Sequence, residues 1–450
     1  MRGRIGSLAG RVIPQGAAVL SVLIFGSYVM GLVRDRIFAR TFGAGSELDA
    51  YNAAFVLPEL LLDVLVEAGL AAPFIPIFMR LRASDGDPEE ADRFARTILT
   101  GAVAVMGVGA AVMFIVADAT TGFIAPGFHG TQRELYVSLF RLMLVTPVLF
   151  AASLTLGQVL LAEQRFFWYG VAPLLYNAGI ILGTVLFSGS LGIYGPAIGA
   201  VIGAAIHLAS RFIGLRDSRF RIRLGWSARA SSVREFVRLM LPKMASHPVE
   251  PMTFLFFTAV ASSLAAGSVT AVSFARNFQS VPVSLIGVAF SLAVFPRLST
   301  AYATGDRRGF MVLLRTNLAS IALITSAAAV GLLLIGELAI RILLGGGAFD
   351  AEDVGLTATV LGAFALSVPF ESLTHLLSRA IYATRHTLLQ VLASLAALGV
   401  TVVATLVMAP AFGIVAIPLG FTVGQAAKVG LLAIALAIRL RGGASELAAA

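Results

Sequence analysis

The sequence holds no cysteine, almost no lysine and little charge of any kind. Without cysteine there can be no disulfide, no thiol nucleophile and no cysteine-type zinc site. Lys243 and Lys428 are the only lysines, and neither follows a glycine, so the chain contains no G-x-x-x-x-G-K-[ST] phosphate loop. No H-E-x-x-H occurs either. Gly107 and Gly109, the one doublet resembling a dinucleotide loop, lie inside an apolar run and mean helix packing. The expectation is therefore no catalytic residue, no metal, no cofactor and no nucleotide: not an enzyme. Charged residues make up 13% of the chain against 58% hydrophobic ones, and mean hydropathy is +0.91. That composition excludes an ordinary soluble domain. The net charge of +9 is almost all arginine. Nucleic-acid binding would need those arginines clustered on a solvated face, whereas here they fill short gaps between oily segments.

What is present is a series of long apolar runs. A bilayer core about 30 Å thick needs roughly 20 apolar residues per helix. Windows meeting this fall near 13–33, 48–80, 92–117, 133–161, 166–187, 191–214, 236–264, 268–303, 310–342, 354–384, 386–409 and 412–438. The expectation is an all-α integral membrane protein with twelve transmembrane helices. The second and eighth windows carry internal prolines and predict bent or tilted helices. Arg2, Arg4 and Arg11 precede the first run, which is too long for a signal-peptide core and lacks a small-x-small cleavage site. It reads as an uncleaved helix.

Arginine in the short loops sets the orientation. The N-terminus, Arg80–Arg96, Gln164–Arg165, Arg211–Arg238, Arg297–Arg315, Arg385 and Arg439–Arg441 fall on one side, which predicts N-in and C-in. SGSLGIYG, SSLAAGS and APAFG, on the other side, carry none. Arg34, Arg36 and Arg40 break the pattern, and topology assigns them no role. The organisation expected is a six-helix lobe at 1–215, a basic cytoplasmic linker at 216–232, a second six-helix lobe at 233–440 and a short tail at 441–450. The halves echo each other: GIYGPAIGAVIGAA at Gly192 aligns with GIVAIPLGFTVGQA at Gly413, and Gly199 and Gly203 align with Gly420 and Gly424. LAEQRF at Leu161 echoes IYATRHT at Ile381. A parallel repeat about the membrane normal would make the lobes pseudo-symmetric around a central cavity.

Ionisable residues at membrane depth are expensive and mark substrate or ion pathways. Arg34, Arg36 and Asp35 close the first run, and Asp49 opens the second. Glu59, Asp63 and Glu67 recur every four residues, on one helical face. Glu59 suits a solvated helix end; Glu67, with apolar turns on both sides, suits a cavity. LPKMASHPVEPM places Lys243, His247 and Glu250 together among three prolines, with Lys243 equally consistent with a residue snorkelling at a helix end. Arg276, two turns past an outer loop, needs an anion, a carbonyl or water, and Glu67 is one candidate partner. Glu371, His375 and Arg379 recur every four residues, as a proton relay or an intrahelical pair.

GLVRDRIFARTFGAGSELDAYNAAFVLPELL, followed by EAGLAAPFIPIF, resembles the N-terminal signature of the lipid II flippase family (MurJ, also called MviN). APGF at Ala125, APLLYNAGII at Ala172, LAAGSVTAVSFARNFQSVPVSLIGVAFSLAVFPRLS at Leu264 and SRAIYATRHT at Ser378 extend the likeness from about residue 15 to about residue 440. The resemblance implies the multidrug/oligosaccharidyl-lipid/polysaccharide exporter fold with alternating access, in the bacterial cytoplasmic membrane. The cargo it implies is the undecaprenyl-pyrophosphate-linked peptidoglycan precursor, with membrane lipids and wall-synthesis proteins as partners. Arg34 and Arg276 occupy the positions of cavity arginines that hold the pyrophosphate, and Asp35, Asp49 and Glu67 match family positions. Departures are also visible. The family's arginine pair in the second helix falls on Leu62 and Asp63, a first-helix arginine falls on Tyr28, and the acid before the eighth-helix arginine falls on Ala275. Members usually carry two further helices whose groove receives the lipid tail, while this sequence ends at RLRGGASELAAA. Another lipid-linked glycan, or an amphipathic cation bound by Asp63, Glu67, Glu250 and Glu371, is the alternative cargo. A scaffold without transport would tolerate loss of every cavity charge.

Overall fold

A computed structural model describes residues 15–64, 68–83, 89–223, 225–227, 230–246, 249–384 and 386–448. These residues are helical almost throughout and contain no strand, only an isolated bridge between Gly346 and Phe349. Among them, eight helices are long and apolar enough to cross a membrane, and one bent pair makes a ninth.

Contacts divide the chain into two compact units. The first takes in the chain through Phe42, then Ser46–Leu255. It contains α1 (Gln15–Phe42), α2 (Ser46–Leu62), α3 (Ala68–Ala83), α4 (Glu89–Ile115), α5 (Ala117–Ile124), α6 (Gly130–Met143), α7 (Val145–Ala162), α8 (Phe166–Leu191), α9 (Tyr194–Gly214) and α10 (Ser231–Ser246). The second takes in Gly43–Gly45 and everything from Phe256 on. It contains the second half of α11 (Val249–Ser262), then α12 (Ser268–Pro282), a π-helical turn at Val283–Val288, α13 (Ala289–Ala303), α14 (Arg307–Leu343), α15 (Ala351–Ala365), α16 (Val368–Ala383), α17 (Thr387–Phe412) and α18 (Ala416–Ala448).

The windows at 48–80 and 236–264 each come out as two shorter helices. Pro58 lies inside α2, and Pro73 and Pro76 lie inside α3. Each proline removes a backbone donor and crowds the preceding turn, so an unbroken helix would be strained. The window at 268–303 stays continuous in its path but loosens into the π turn just after Pro282. The window at 354–384 bends by 44° between α15 and α16.

In the first unit α8 packs along α9 and against α1, α4 packs on α7, and α10 lies on α3. Phe74, Phe78, Phe94 and Phe236 join α3, α4 and α10 through adjacent rings, at centroid distances of 5.4–5.9 Å. The basic segment between α9 and α10 is pinned down rather than loose. Phe220 is buried at 2% exposure, Arg96 donates to the Arg221 carbonyl, and the Gly225 and Ser227 amides donate to Thr100 and Thr97 of α4. Beside it Arg82 bridges Asp92 and Glu163 at 2.8 and 3.0 Å, and Ser218 donates to Glu163. Alternation does the rest: Arg219, Arg221 and Arg223 are exposed while Phe220 and Ile222 face inward.

In the second unit α17 packs along α18, and α16 packs on α18, α14 and the π turn. The glycines that echo across the sequence sit at like geometry. Gly192 ends α8 with φ 55° and ψ −134°, and Gly413 ends α17 with φ 53° and ψ −130°. That left-handed conformation is open to glycine and strained for other residues. Each glycine turns the chain so that the next helix lies back along the one before.

Candidate substrate-binding site

In the first unit the site is built at the end of α1. Arg34 and Asp35 are sequence neighbours and leave the helix in different directions, yet the long arginine curls back to its neighbour. Its Nε and Nη2 donate to Asp35 Oδ1 at 3.1 and 2.8 Å. Asp35 is buried, while 28% of the Arg34 side chain stays exposed. Across from them, Asn177 of α8 accepts from Arg34 Nη1 at 3.2 Å and donates to the Pro173 carbonyl at 3.2 Å. Three of the five guanidinium N–H groups are thus used, and the fork is held in one orientation. The other two have no protein acceptor among the described residues. Phe38 lies under the guanidinium at 5.9 Å and is itself backed edge-on by Tyr51 of α2.

Asn177 was not among the residues singled out from sequence, although it stands in the motif APLLYNAGII. The signal was a lone amide in an apolar helix, four residues after a proline. Arg211 of α9 is a second residue of this kind. It is 1% exposed, with partners on α7 and α8: Ser153 Oγ at 3.3 Å, the Trp168 carbonyl at 2.7 Å and the Tyr169 carbonyl at 2.9 Å. Pro173 has no N–H to give the Tyr169 carbonyl, and Arg211 supplies the missing donor. His207, on the same helix, is hydrogen-bonded to Ser153 and belongs to this packing.

In the second unit Arg276 of α12 forms a two-pronged pair with Glu371 of α16. Nη1 reaches Oε2 at 2.8 Å and Nη2 reaches Oε1 at 2.6 Å. Both residues are buried, at 8% and 6% exposure. Gln279 clamps them: its carbonyl accepts from Arg276, while its amide donates to Glu371 at 2.8 Å and to Ser367 Oγ at 3.1 Å. Phe421 of α18 lies 5.1 Å from the guanidinium. The local backbone explains the meeting. Glu371 stands in the first turn of α16, just beyond the bend, where a helix N-terminus favours an anion. A Cβ on Gly287 of the π turn would sit 2.8 Å from the Ser372 Cα, so glycine alone lets α16 come this close. Glu371 bonds across to α12. His375 and Arg379 are half-buried on the turns that follow.

Of the other expected residues, Asp49 is buried at the start of α2, and Arg36 and Asp63 are half-buried, Asp63 in a π-helical turn after α2. Glu250 is exposed in the first turn of α11. Glu67, His247 and the side chain of Lys243 lie outside the described residues. Among the described residues no group of three or more histidine, aspartate or glutamate side chains is placed to hold a metal ion. Outside the spans, Arg80 meets Glu235 at 2.5 Å, and that hydrogen bond holds the Glu235 carboxyl below the usual range.

The family model of lipid II flippase MurJ matches residues 38–449. The chain belongs to the lipid II flippase MurJ family. Within the MurJ family it is 27% identical over 427 residues to the lipid II flippase MurJ of Burkholderia cenocepacia, covering 92% of this chain and 82% of that one. It is 30% identical over 363 residues to the probable lipid II flippase MurJ of Thermotoga maritima, covering 80% and 72%. A solved structure of lipid II flippase MurJ in an inward closed conformation superposes with a TM-score of 0.80 at 23% identity, over 93% of this chain and 87% of that one. An inward-facing MATE family transporter of the MOP superfamily superposes at 0.78 with 15% identity, over 92% and 95%. The fold is thus the helical MurJ/MATE type, and the protein is a multi-pass membrane protein of a transporter family.

Proposed function

We propose that this chain moves a polyprenyl-pyrophosphate-linked peptidoglycan precursor, lipid II, across the bacterial cytoplasmic membrane by alternating access. The observation that carries the reading is the family match, which runs over nearly the whole chain. Twelve spans in two six-helix lobes, with both termini inside, complete it. Arg34 and Arg276 bind the pyrophosphate, with Asp35, Arg36, Asp49 and Glu67 shaping the charge around it. Arg34 suits the task because its guanidinium is oriented, partly exposed and has two donors without an acceptor among the described residues, and arginine forks match phosphate oxygens in pairs. Asp63, Lys243, His247, Glu250, Glu371, His375 and Arg379 are the candidate coupling charges. No phosphate loop being present, net transport draws on the membrane potential or an ion gradient, and one charge crossing 100 mV is worth about 2.3 kcal/mol.

Complementation of a flippase-depleted bacterium tests this. The wild-type chain restores growth, and Arg34→Ala and Arg276→Ala abolish rescue while still reaching the membrane. Resistance to cationic drugs without rescue would instead identify an exporter of amphipathic cations. Rescue that survives both substitutions would leave only a scaffolding role.

A further inference from the structure

We propose that Glu371 is an internal stand-in for the substrate's diphosphate, and that substrate binding is an exchange in which the diphosphate takes Arg276 from it. This rests on the reading that Arg276 meets the pyrophosphate. The geometry is that of anion recognition: two guanidinium nitrogens lie side by side on two carboxylate oxygens, at 2.8 and 2.6 Å. The same edge of an arginine receives two phosphate oxygens. With the pair closed and buried, those two nitrogens are committed to Glu371.

An ordinary buried ion pair resists such an exchange, because removing one partner strands the other charge. Glu371 is placed so that it is not stranded. It lies in the first turn of α16, where the helix N-terminus stabilises a negative charge. The Gln279 amide, which donates to it at 2.8 Å, is a donor independent of Arg276. Gln279 also touches Arg276 through its carbonyl, so one side chain holds both partners in the closed pair. The exchange also gives the carboxylate a part in release. While the diphosphate is bound Glu371 repels it, and when the site opens Glu371 recaptures Arg276. Glu371 is thus a specificity-determining residue that keeps the affinity for the diphosphate low enough for turnover.

The test is binding of undecaprenyl pyrophosphate to the purified full chain in nanodiscs, with flipping measured in parallel. Glu371→Gln keeps the size but loses the charge and one of the two acceptor oxygens. It should bind at least tenfold more tightly than wild type and flip more slowly, because release becomes limiting. Gln279→Ala, which removes the donor that keeps the released Glu371 from being stranded, should weaken binding. Arg276→Ala should weaken binding. If Arg276→Ala weakens binding but Glu371→Gln binds no better than wild type, Glu371 is only a scaffold for the arginine and the exchange is overturned. If Arg276→Ala binds like wild type, the reading of Arg276 itself is wrong. Should Glu371→Gln fail to fold, the structure of the wild-type chain with undecaprenyl pyrophosphate decides. Diphosphate oxygens on both Arg276 Nη atoms, with Glu371 left on Gln279, support the exchange; an intact Arg276–Glu371 pair beside bound ligand overturns it.

Discussion

Replacing Gly183 by alanine should destabilise the first unit, although alanine is the better helix former. Gly183 lies where α8 crosses α9, and a Cβ there would stand 2.7 Å from both the Gly195 carbonyl oxygen and the Gly199 amide nitrogen, with the Gly199 Cα nearer still. Those atoms are backbone and cannot swing aside. Ordinary contact between such atoms lies near 3.5–4.0 Å, so the helices must part by about 1 Å. The crossing is reciprocal: Cβ atoms on Gly199 and Gly203 would meet the Gly179 and Tyr176 carbonyl oxygens at 2.8 and 2.5 Å. Separation therefore loosens the whole seam, as expected where small residues let membrane helices approach. Overpacking of this kind costs about 1–3 kcal/mol, and the gain in helix propensity offsets about 1 kcal/mol. The net expectation is a loss of up to about 2 kcal/mol. Gly331, inside α14 with nothing within 4 Å of its Cβ position, is the matched control. There alanine should stabilise by about 1 kcal/mol. Thermal unfolding of both variants in one detergent reads the difference. A Gly183→Ala melting temperature at or above wild type would refute the steric argument.

Four further outcomes are expected. Arg211→Leu and Pro173→Ala should be coupled by about 0.5–1.5 kcal/mol in a double-mutant cycle, because Pro173→Ala restores the amide that Arg211 replaces at the Tyr169 carbonyl; additive melting shifts would count against that role. Asn177→Leu should reduce rescue of a flippase-depleted strain with little loss of folded protein, since it frees one Arg34 donor and the fork's orientation; full rescue would show that the orientation is immaterial. Phe220→Ala should cost about 3–5 kcal/mol and speed proteolysis between α9 and α10; an unchanged cleavage rate would mean that Phe220 does not anchor the segment. Glu235→Gln should lower the melting temperature slightly at pH 7, and the difference should shrink as pH falls below the ordinary carboxylate range. The depressed Glu235 carboxyl contributes above its ordinary value near 4.3, and that contribution is lost as pH falls through the depressed one. A gap that widens in acid would contradict this sign.

Adjacency decides what could be read ahead of the structure. Arg34 and Asp35 are neighbours, so their pairing needs only α1 and a long side chain. Arg276 and Glu371 are 95 residues apart, and their meeting depends on a bend, a π turn and a glycine through which α16 approaches. Sequence reasoning placed Glu371 with His375, one turn along, since helical spacing is the only distance a linear pattern supplies. It likewise read Arg211 as the start of a basic loop, because its partners, backbone carbonyls and a serine, have no signature of their own, whereas the residue is buried in α9.

By itself, the sequence determined the membrane class, the positions of most spans and the family, because hydropathy, breaker residues and ordered motifs are local properties that a bilayer or a neighbouring residue reads directly. Only the tertiary structure decided which charges face one another. Partner choice among buried ions is a matter of ångströms set by helix crossings, and those crossings are fixed jointly by residues far apart in the chain.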